Sequence, residues 1–302
     1  MTMFTGCGTA LVTPFRKDQS LDEETLRKLV RRQIQAGINF LVPCGTTGES
    51  PTLTHKEHLR VVEITLEEAK GKVPVLAGAG GYNTAEVVEL AKELAHLGAD
   101  GILSVTPYYN KPTQEGLVQH YTAIVKAVPL PIIVYNIQGR TGVNVEPATL
   151  KRLAEIDNIV GVKEASGNIS QMATVLHLLP DPFIVLSGDD ATTIPLIALG
   201  GRGWISVISN ELPAEMAKLT KLALAGDFAG ARALQRQWFA LMEVNFCETN
   251  PGPVKAAMAM MGLLDPVFRL PMVPPSDANR AKIEAVLKST GLLAAARSSH
   301  AK

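Results

Sequence analysis

Eight short apolar runs rich in β-branched residues recur along the chain, each closing on glycine, proline, serine, threonine or asparagine and each followed by a helix-like stretch. They begin at Gly8, Phe40, Val73, Gly101, Pro131, Ile159, Phe183 and Gly203, with successive starts 20 to 33 residues apart. That spacing holds one strand, one helix and two loops. Runs that are apolar on both faces and alternate with helices call for a parallel sheet covered on all sides. Eight such units close most simply into a (β/α)8 TIM barrel, the α/β fold expected here. The intervening stretches agree: Leu26, Leu29, Val30 and Ile34 form one apolar stripe ending at Gly37, and a third helix stops at Gly98. Thr54 with Glu57 three residues on makes a capping box. An open doubly wound sheet competes, but GAGGYN (Gly78 to Asn83) lacks the third glycine of a dinucleotide fingerprint, and no P-loop pattern is present.

After the eighth run the strand signal stops, and residues 211 to 293 read as helical throughout. The boundary is placed near Gly226, giving a catalytic barrel over residues 1–225 and a C-terminal all-helical domain over 226–302, with a frayed tail from Ala294. The 302 residues carry 29 Lys+Arg against 29 Asp+Glu, so there is no basic surplus to hold a nucleic acid backbone. No window reaches the ~18 apolar residues of a membrane span, and the N-terminus does not read as a leader. Neither nucleic acid nor membrane is an expected partner. Three cysteines, odd in number and far apart, indicate a reducing compartment, and the expected location is cytoplasmic; Cys7 and Cys44 read as core fillers.

In a barrel of this kind the chemistry sits at the C-terminal ends of the strands. Those ends hold Thr46, Thr47, Tyr108, Tyr109, Tyr135, Arg140, Lys163, Glu164, Gly188, Asp189 and Asp190. Lys163 is the unusual one, because it interrupts an apolar strand where desolvation disfavours the ammonium form. A neutral amine there attacks a carbonyl to form a Schiff base. The plainer alternative is an ion pair with Glu164, although neighbours on a strand point to opposite faces. Tyr135, on the preceding strand, is placed to shuttle protons or is simply a buried tyrosine. The Gly45–Gly48 turn offers backbone N–H groups and two hydroxyls to a carboxylate, and Arg140 offers a bidentate fork to a second one. His55 and His58 have ligand spacing without a third ligand, and Asp190 reads as a cap for the following helix, so no metal is expected.

GTTGESPTLTHKEH, TPYYNKPTQEGLVQHY, YNIQGRTG, GVKEASGN, LSGDDA and ISVISN, with NPGPVKAAMAMMGL and RLPM near the end, resemble the 4-hydroxy-tetrahydrodipicolinate (dihydrodipicolinate) synthase family, in unbroken order from Phe4 to about Leu293. The resemblance implies a barrel with a C-terminal helical domain, assembled as a homotetramer built from two tight dimers. It implies an aldolase-type lyase of lysine biosynthesis that condenses pyruvate with aspartate 4-semialdehyde and uses no metal or organic cofactor. Carried over, Lys163 falls at the Schiff-base lysine and Tyr135 at the proton-relaying tyrosine. Thr46 and Tyr109 complete the relay, Tyr109 reaching in from a partner subunit. Thr47 matches the pyruvate-carboxylate binder, Arg140 the residue orienting the semialdehyde carboxylate, and Gly188 and Ile205 the lining of the pyruvate end.

The chain departs from the family pattern twice. Gln138 stands where Y-N-x-P-x-R-T-G has proline, with Gly139 beside it, which predicts a freer loop around Arg140. Ser50, His55, His58, Glu86 and Tyr108 match the site at which some members bind inhibitory L-lysine, but Tyr82 stands where asparagine is usual, which predicts weakened inhibition. N-acetylneuraminate lyase and 2-keto-3-deoxy sugar acid aldolases share GTTGE, the tyrosine and the lysine, and are the alternative activities. Arg140 and TPYYNKP favour the synthase. A non-catalytic barrel would need one of the two central residues to be missing, and both are present.

Overall fold

The computed structural model describes residues 3–293, so the expected tail from Ala294 lies outside the described residues. The strands are β1 (Gly6–Ala10), β2 (Phe40–Val42), β3 (Leu76–Gly78), β4 (Gly101–Val105), β5 (Ile132–Asn136), β6 (Ile159–Glu164), β7 (Ile184–Ser187) and β8 (Gly203–Ser206). All paired neighbours run parallel in the order β2-β1-β8-β7-β6-β5-β4-β3, and a parallel bridge from Leu41 to Val75 joins the two ends of that row. The result is the eight-stranded barrel that the spacing calls for. β2 and β3 are short because Pro43 and the glycine-rich stretch after Ala77 interrupt the apolar runs.

Around it lie α1 (Glu23–Gln35), α2 (His55–Ala69), α3 (Thr84–Leu97), α4 (Gln114–Ala127), α5 (Gln138–Thr141), α6 (Pro147–Ala154), α7 (Ile169–Leu178), α8 (Thr193–Ala198), α9 (Pro213–Leu224), α10 (Phe228–Val244), α11 (Gly252–Met260) and α12 (Asp277–Ser289). Local chemistry sets several of their ends. The capping box at α2 is complete, with Thr54 Oγ1 taking the Glu57 N–H and the Glu57 carboxylate taking the Thr54 N–H. Gly98 ends α3 in the left-handed conformation that glycine adopts without strain.

Two cores follow from strand alternation. Residues pointing outward pack under the helices, while Phe4, Phe40, Leu76, Leu103, Ile133, Tyr135, Leu186 and Ile205 belong to the barrel interior. The aromatic floor of that interior needs missing side chains: a Cβ on Gly8 would lie 2.2 Å from the Phe40 ring. Phe4 and Phe40 meet there edge to face, 5.8 Å apart. Cys7 and Cys44 are buried and burial pushes both thiols up, consistent with their reading as small core residues. Among the described residues no helix is long and apolar enough to cross a membrane.

The C-terminal segment turns back onto the barrel instead of standing apart. Val254 and Met258 of α11 pack with Val12, Leu29 and Val207 at the C-terminal rim of the strands. Farther on, Arg269 forms a bidentate pair with Glu57 (2.6 and 2.8 Å) and hydrogen-bonds the carbonyls of Gln19 and Thr52. The guanidinium holds the Glu57 carboxyl down at about 2. A carboxyl depressed in the folded state stabilises it above the unfolded value of 4.5 and loses that contribution as pH falls from 4.5 toward 2. Arg269→Gln should therefore destabilise the protein, by an ion-pair part on the order of 1 kcal/mol for this partly exposed pair. In urea titrations that part should be present at about pH 5, reduced to about half near pH 3 and mostly gone by about pH 2.

Candidate active site

The site is built from the pairing of β5 with β6. Their parallel register sets Tyr135 opposite Lys163 and Asn136 opposite Glu164. Because side chains alternate, the first pair faces the barrel interior and the second faces the helices. Lys163 is 5% exposed, and its Nζ lies 4.1 Å from the centroid of the Tyr135 ring. Among the described residues it makes no ion pair or hydrogen bond, so the Lys163–Glu164 pair does not form. Glu164 accepts instead from Asn136 Nδ2 (3.0 Å), the Ser166 N–H (2.7 Å) and Gln171 Nε2 (3.4 Å).

Gly188, just beyond β7, bounds the lysine on its other side. A Cβ there would lie 3.0 Å from Lys163 Cε and 2.6 Å from Ala165 Cβ, so only glycine leaves the amine its place. Ile205 of β8 belongs to the same interior. Tyr135, Lys163, Gly188 and Ile205, all picked from the sequence, share the barrel interior.

The Gly45–Gly48 turn follows β2. It is entered through Cys44 at φ 56° and left through Glu49 at φ 53°, both left-handed, and the Gly48 and Glu49 N–H groups donate to the carbonyls of Gly45 and Thr46. Thr46 is half-buried and Thr47 buried. Asn250, which sequence reasoning did not single out, donates from Nδ2 to Thr47 Oγ1 (3.0 Å), and its carbonyl accepts from Arg140 Nη2 (3.0 Å). An amide NH2 is only a donor, so Thr47 accepts and its own hydroxyl proton is free to donate to an anion. Asn250 thus joins the two residues read as carboxylate binders. Its only sequence signal was the NPGPVK run, which carries no spacing relation to either.

Arg140 itself is exposed. Its segment is not an open loop but the helical turn α5, closed by hydrogen bonds from the Arg140 and Thr141 N–H groups to the Ile137 carbonyl and from Gly142 to Gln138. Gln138 occupies the first helical position, where a proline costs no hydrogen bond.

A cavity of about 300 Å³ opens over this region, lined by Thr46, Ser50, His58, Tyr108, Tyr135 and Arg140 among others. Two candidate catalytic residues, Thr46 and Tyr135, and half of the possible lysine-inhibitor site therefore border one space, while Lys163 lies outside its lining. His58 is buried with its Nε2 2.8 Å from the Gly78 carbonyl, so this nitrogen carries the proton, and burial lowers the tendency of the ring to take a second one. His55, Tyr82 and Glu86 do not line the cavity: His55 pairs with Glu93 (2.7 Å), and Glu86 accepts from Asn83. The Tyr82 ring stands edge-on to Tyr108 at 5.4 Å. Tyr109 is 89% exposed at φ 63° and also lies outside the cavity of its own chain.

Asp190 is a correction. It does not cap α8; Asp189 Oδ1 takes the N–H groups of Ala191 and Thr192. Asp190 turns inward, accepts from the Val207 and Ile208 N–H groups beyond β8, and is pushed up to about 6 by burial. Two amides beyond the strand end that would otherwise be unpaired hold Asp190 there, and α8 is left without a side-chain cap.

The family model described as the dihydrodipicolinate synthetase family matches residues 3–290. The chain belongs to that family. A 4-hydroxy-tetrahydrodipicolinate synthase of Koribacter versatilis is 54% identical over 289 residues, 95% of this chain and 96% of the relative. The crystal structure of the Thermotoga maritima dihydrodipicolinate synthase superposes with a TM-score of 0.94 at 46% identity, covering 97% of this chain and all of that one. A dihydrodipicolinate synthase from Acinetobacter baumannii, solved in complex with pyruvate, gives 0.95 at 44% identity over the same shares.

Two outcomes follow from this geometry. Gly188→Ala should lower kcat/KM about 10²-fold by displacing Lys163, while overpacking costs about 1–3 kcal/mol in thermal or chemical melts. Gln138→Pro restores the family's proline at a position already helical and should stabilise by about 0.4–1 kcal/mol; a fall in melting temperature would show that the turn needs another conformation.

Proposed function

We infer that this member of the dihydrodipicolinate synthetase family condenses pyruvate with L-aspartate 4-semialdehyde to give 4-hydroxy-tetrahydrodipicolinate, with Lys163 as the Schiff-base residue. The observation that carries the reading is one lysine amine, buried in the barrel, free of an ion-pair partner and lying against a tyrosine ring. Its neutral form attacks the pyruvate ketone, and loss of water, assisted by the Tyr135 hydroxyl, gives the imine. The imine draws electrons from the adjacent methyl group, which loses a proton to become an enamine. The enamine carbon attacks the semialdehyde aldehyde and forms the new carbon–carbon bond. The substrate's own amine then adds to the imine carbon, closes the ring and releases Lys163.

In this reading Thr47 donates its free hydroxyl proton to the pyruvate carboxylate, and Arg140 orients the carboxylate of the semialdehyde. Gly188 and Ile205 shape the pyruvate end. Thr46, Tyr135 and a partner subunit's Tyr109 form the proton relay, which makes a dimer the smallest complete unit within a homotetramer. The left-handed, solvent-exposed Tyr109 supports the last point, since a large apolar ring held in that conformation outside its own cavity is suited to reaching another chain. Residues 1–225 are taken as the catalytic barrel and 226–302 as the helical domain, supported by the left-handed Gly226 between α9 and α10. Three free cysteines, two of them buried, support a cytoplasmic setting.

The test couples product formation from the two substrates to a reductase that oxidises NADPH. Lys163→Ala should lose several orders of magnitude, on the order of 10³-fold or more. Borohydride added with pyruvate should leave a stable adduct on Lys163 in the wild type and none in the variant. An inactive wild type that still traps pyruvate would show that the acceptor is a different aldehyde.

A further inference from the structure

A second lysine is buried more deeply than Lys163, and the chemistry above does not use it. Lys255 of α11 is fully buried and pairs at 2.5 Å with Glu49, whose side chain is 1% exposed. Its ammonium also lies 4.5 Å from the Phe15 ring centroid and 5.2 Å from that of Phe268. Burying two charges costs several kcal/mol per ion, and apolar residues of the same volume serve stability as well or better. Fold stability alone therefore does not account for the pair.

Its place in the chain does. Glu49 closes the turn that carries Thr46 and Thr47, and it does so in the left-handed region (φ 53°, ψ 35°), which is strained for a non-glycine residue. Its N–H donates to the Thr46 carbonyl, and its own carbonyl accepts from the Thr52 N–H and hydroxyl. The other side of the turn is anchored separately: Thr13 donates to the Gly48 carbonyl at 2.6 Å, and the Cys44 carbonyl abuts Gly78 so closely that a Cβ there would lie 2.1 Å away. Lys255 is thus the anchor that keeps Glu49 in its strained conformation, five residues along the chain from Asn250, which fixes the Thr47 hydroxyl.

We propose that Lys255, through its buried ion pair with Glu49, is a positioning residue for pyruvate: it holds the Gly45–Glu49 turn in the form that receives the pyruvate carboxylate, so that α11 belongs to the pyruvate site without touching substrate. The inference rests on Thr46 and Thr47 acting in that cradle. It predicts that pyruvate capture bears the larger defect. Lys255→Met should raise the pyruvate KM, and the half-saturation of borohydride trapping, about ten-fold or more. At saturating pyruvate the semialdehyde KM should stay within about three-fold of wild type, and kcat, through Thr46 on the same turn, should fall by less than the pyruvate KM rises.

Lys255→Met strands the Glu49 charge and is expected to lower the melting temperature, so Glu49→Gln/Lys255→Met is made beside it. The double variant removes the stranded charge and should regain most of the melting temperature while keeping the raised pyruvate KM. Recovery of the pyruvate KM together with stability would overturn the proposal, because the pair would then act on stability alone. An unchanged pyruvate KM in either folded variant would do the same. A wild type that fails to turn over pyruvate with the semialdehyde would strike the functional reading instead, and trapping half-saturation would still report on the cradle.

Discussion

The parallel register between β5 and β6 is the constraint on which the rest of the site depends. A one-residue slip of β6 against β5 would turn Lys163 out to the helices and bring Glu164 into the barrel beside Tyr135. What holds the register is the outward pair. Asn136 Nδ2 donates to both Glu164 and the side-chain oxygen of Asn144, Asn144 and Gln171 exchange amide hydrogen bonds, and Asn136 Oδ1 takes the Val145 N–H. A buried carboxylate satisfied by neutral donors is expensive to assemble, and every member must be present for it to be tolerated. The network therefore specifies one alignment of two strands and, through Asn144 and Val145, the exit of the segment that carries Arg140.

That division of labour explains how the interior can remain adaptable. The inner face of β6 presents a single lysine against a ring, with nothing pinning the amine, while geometry is imposed from behind it. Gly188 supplies the remaining constraint by occupying no space. An amine proposed to form and release a covalent bond is better served by such confinement than by an ion pair that would have to be broken first.

What the sequence makes legible follows the range of the interactions. Strand and helix periodicity, the capping box at Thr54 and the left-handed glycine after α3 are set by residues within a turn or two, and each is where the pattern places it. Lys163 was visible because a cation inside an apolar run is a local anomaly. Asp190 was misread because its partners, the amides of Val207 and Ile208, lie 17 and 18 residues away and carry no signal of need in the sequence. Asn250, Lys255 and Arg269 meet partners more than 100 residues distant, and only the folded chain shows that three members of the C-terminal segment grip the stretch from Thr47 to Glu57. The segment that lacks the family's proline forms α5, closed by main-chain hydrogen bonds to the Ile137 and Gln138 carbonyls that a pattern of residue types does not reveal.

The two elements proposed to bind carboxylates differ in how rigidly they are held. The Gly45–Glu49 turn is seated on β1 and β3 backbone, strained at both ends and tied to a buried cation, so it is preorganised before any ligand arrives. Arg140 is exposed, on a one-turn helix, and restrained by one hydrogen bond to the Asn250 carbonyl. A Schiff-base aldolase that must first bind a small ketoacid and then admit a second substrate over the resulting enamine needs that asymmetry. The first carboxylate has to be fixed while the imine forms, and the second has to arrive, react and leave through the mouth that Arg140 borders. Asn250 touches both elements, so the rigid cradle limits how far the exposed arginine can stray.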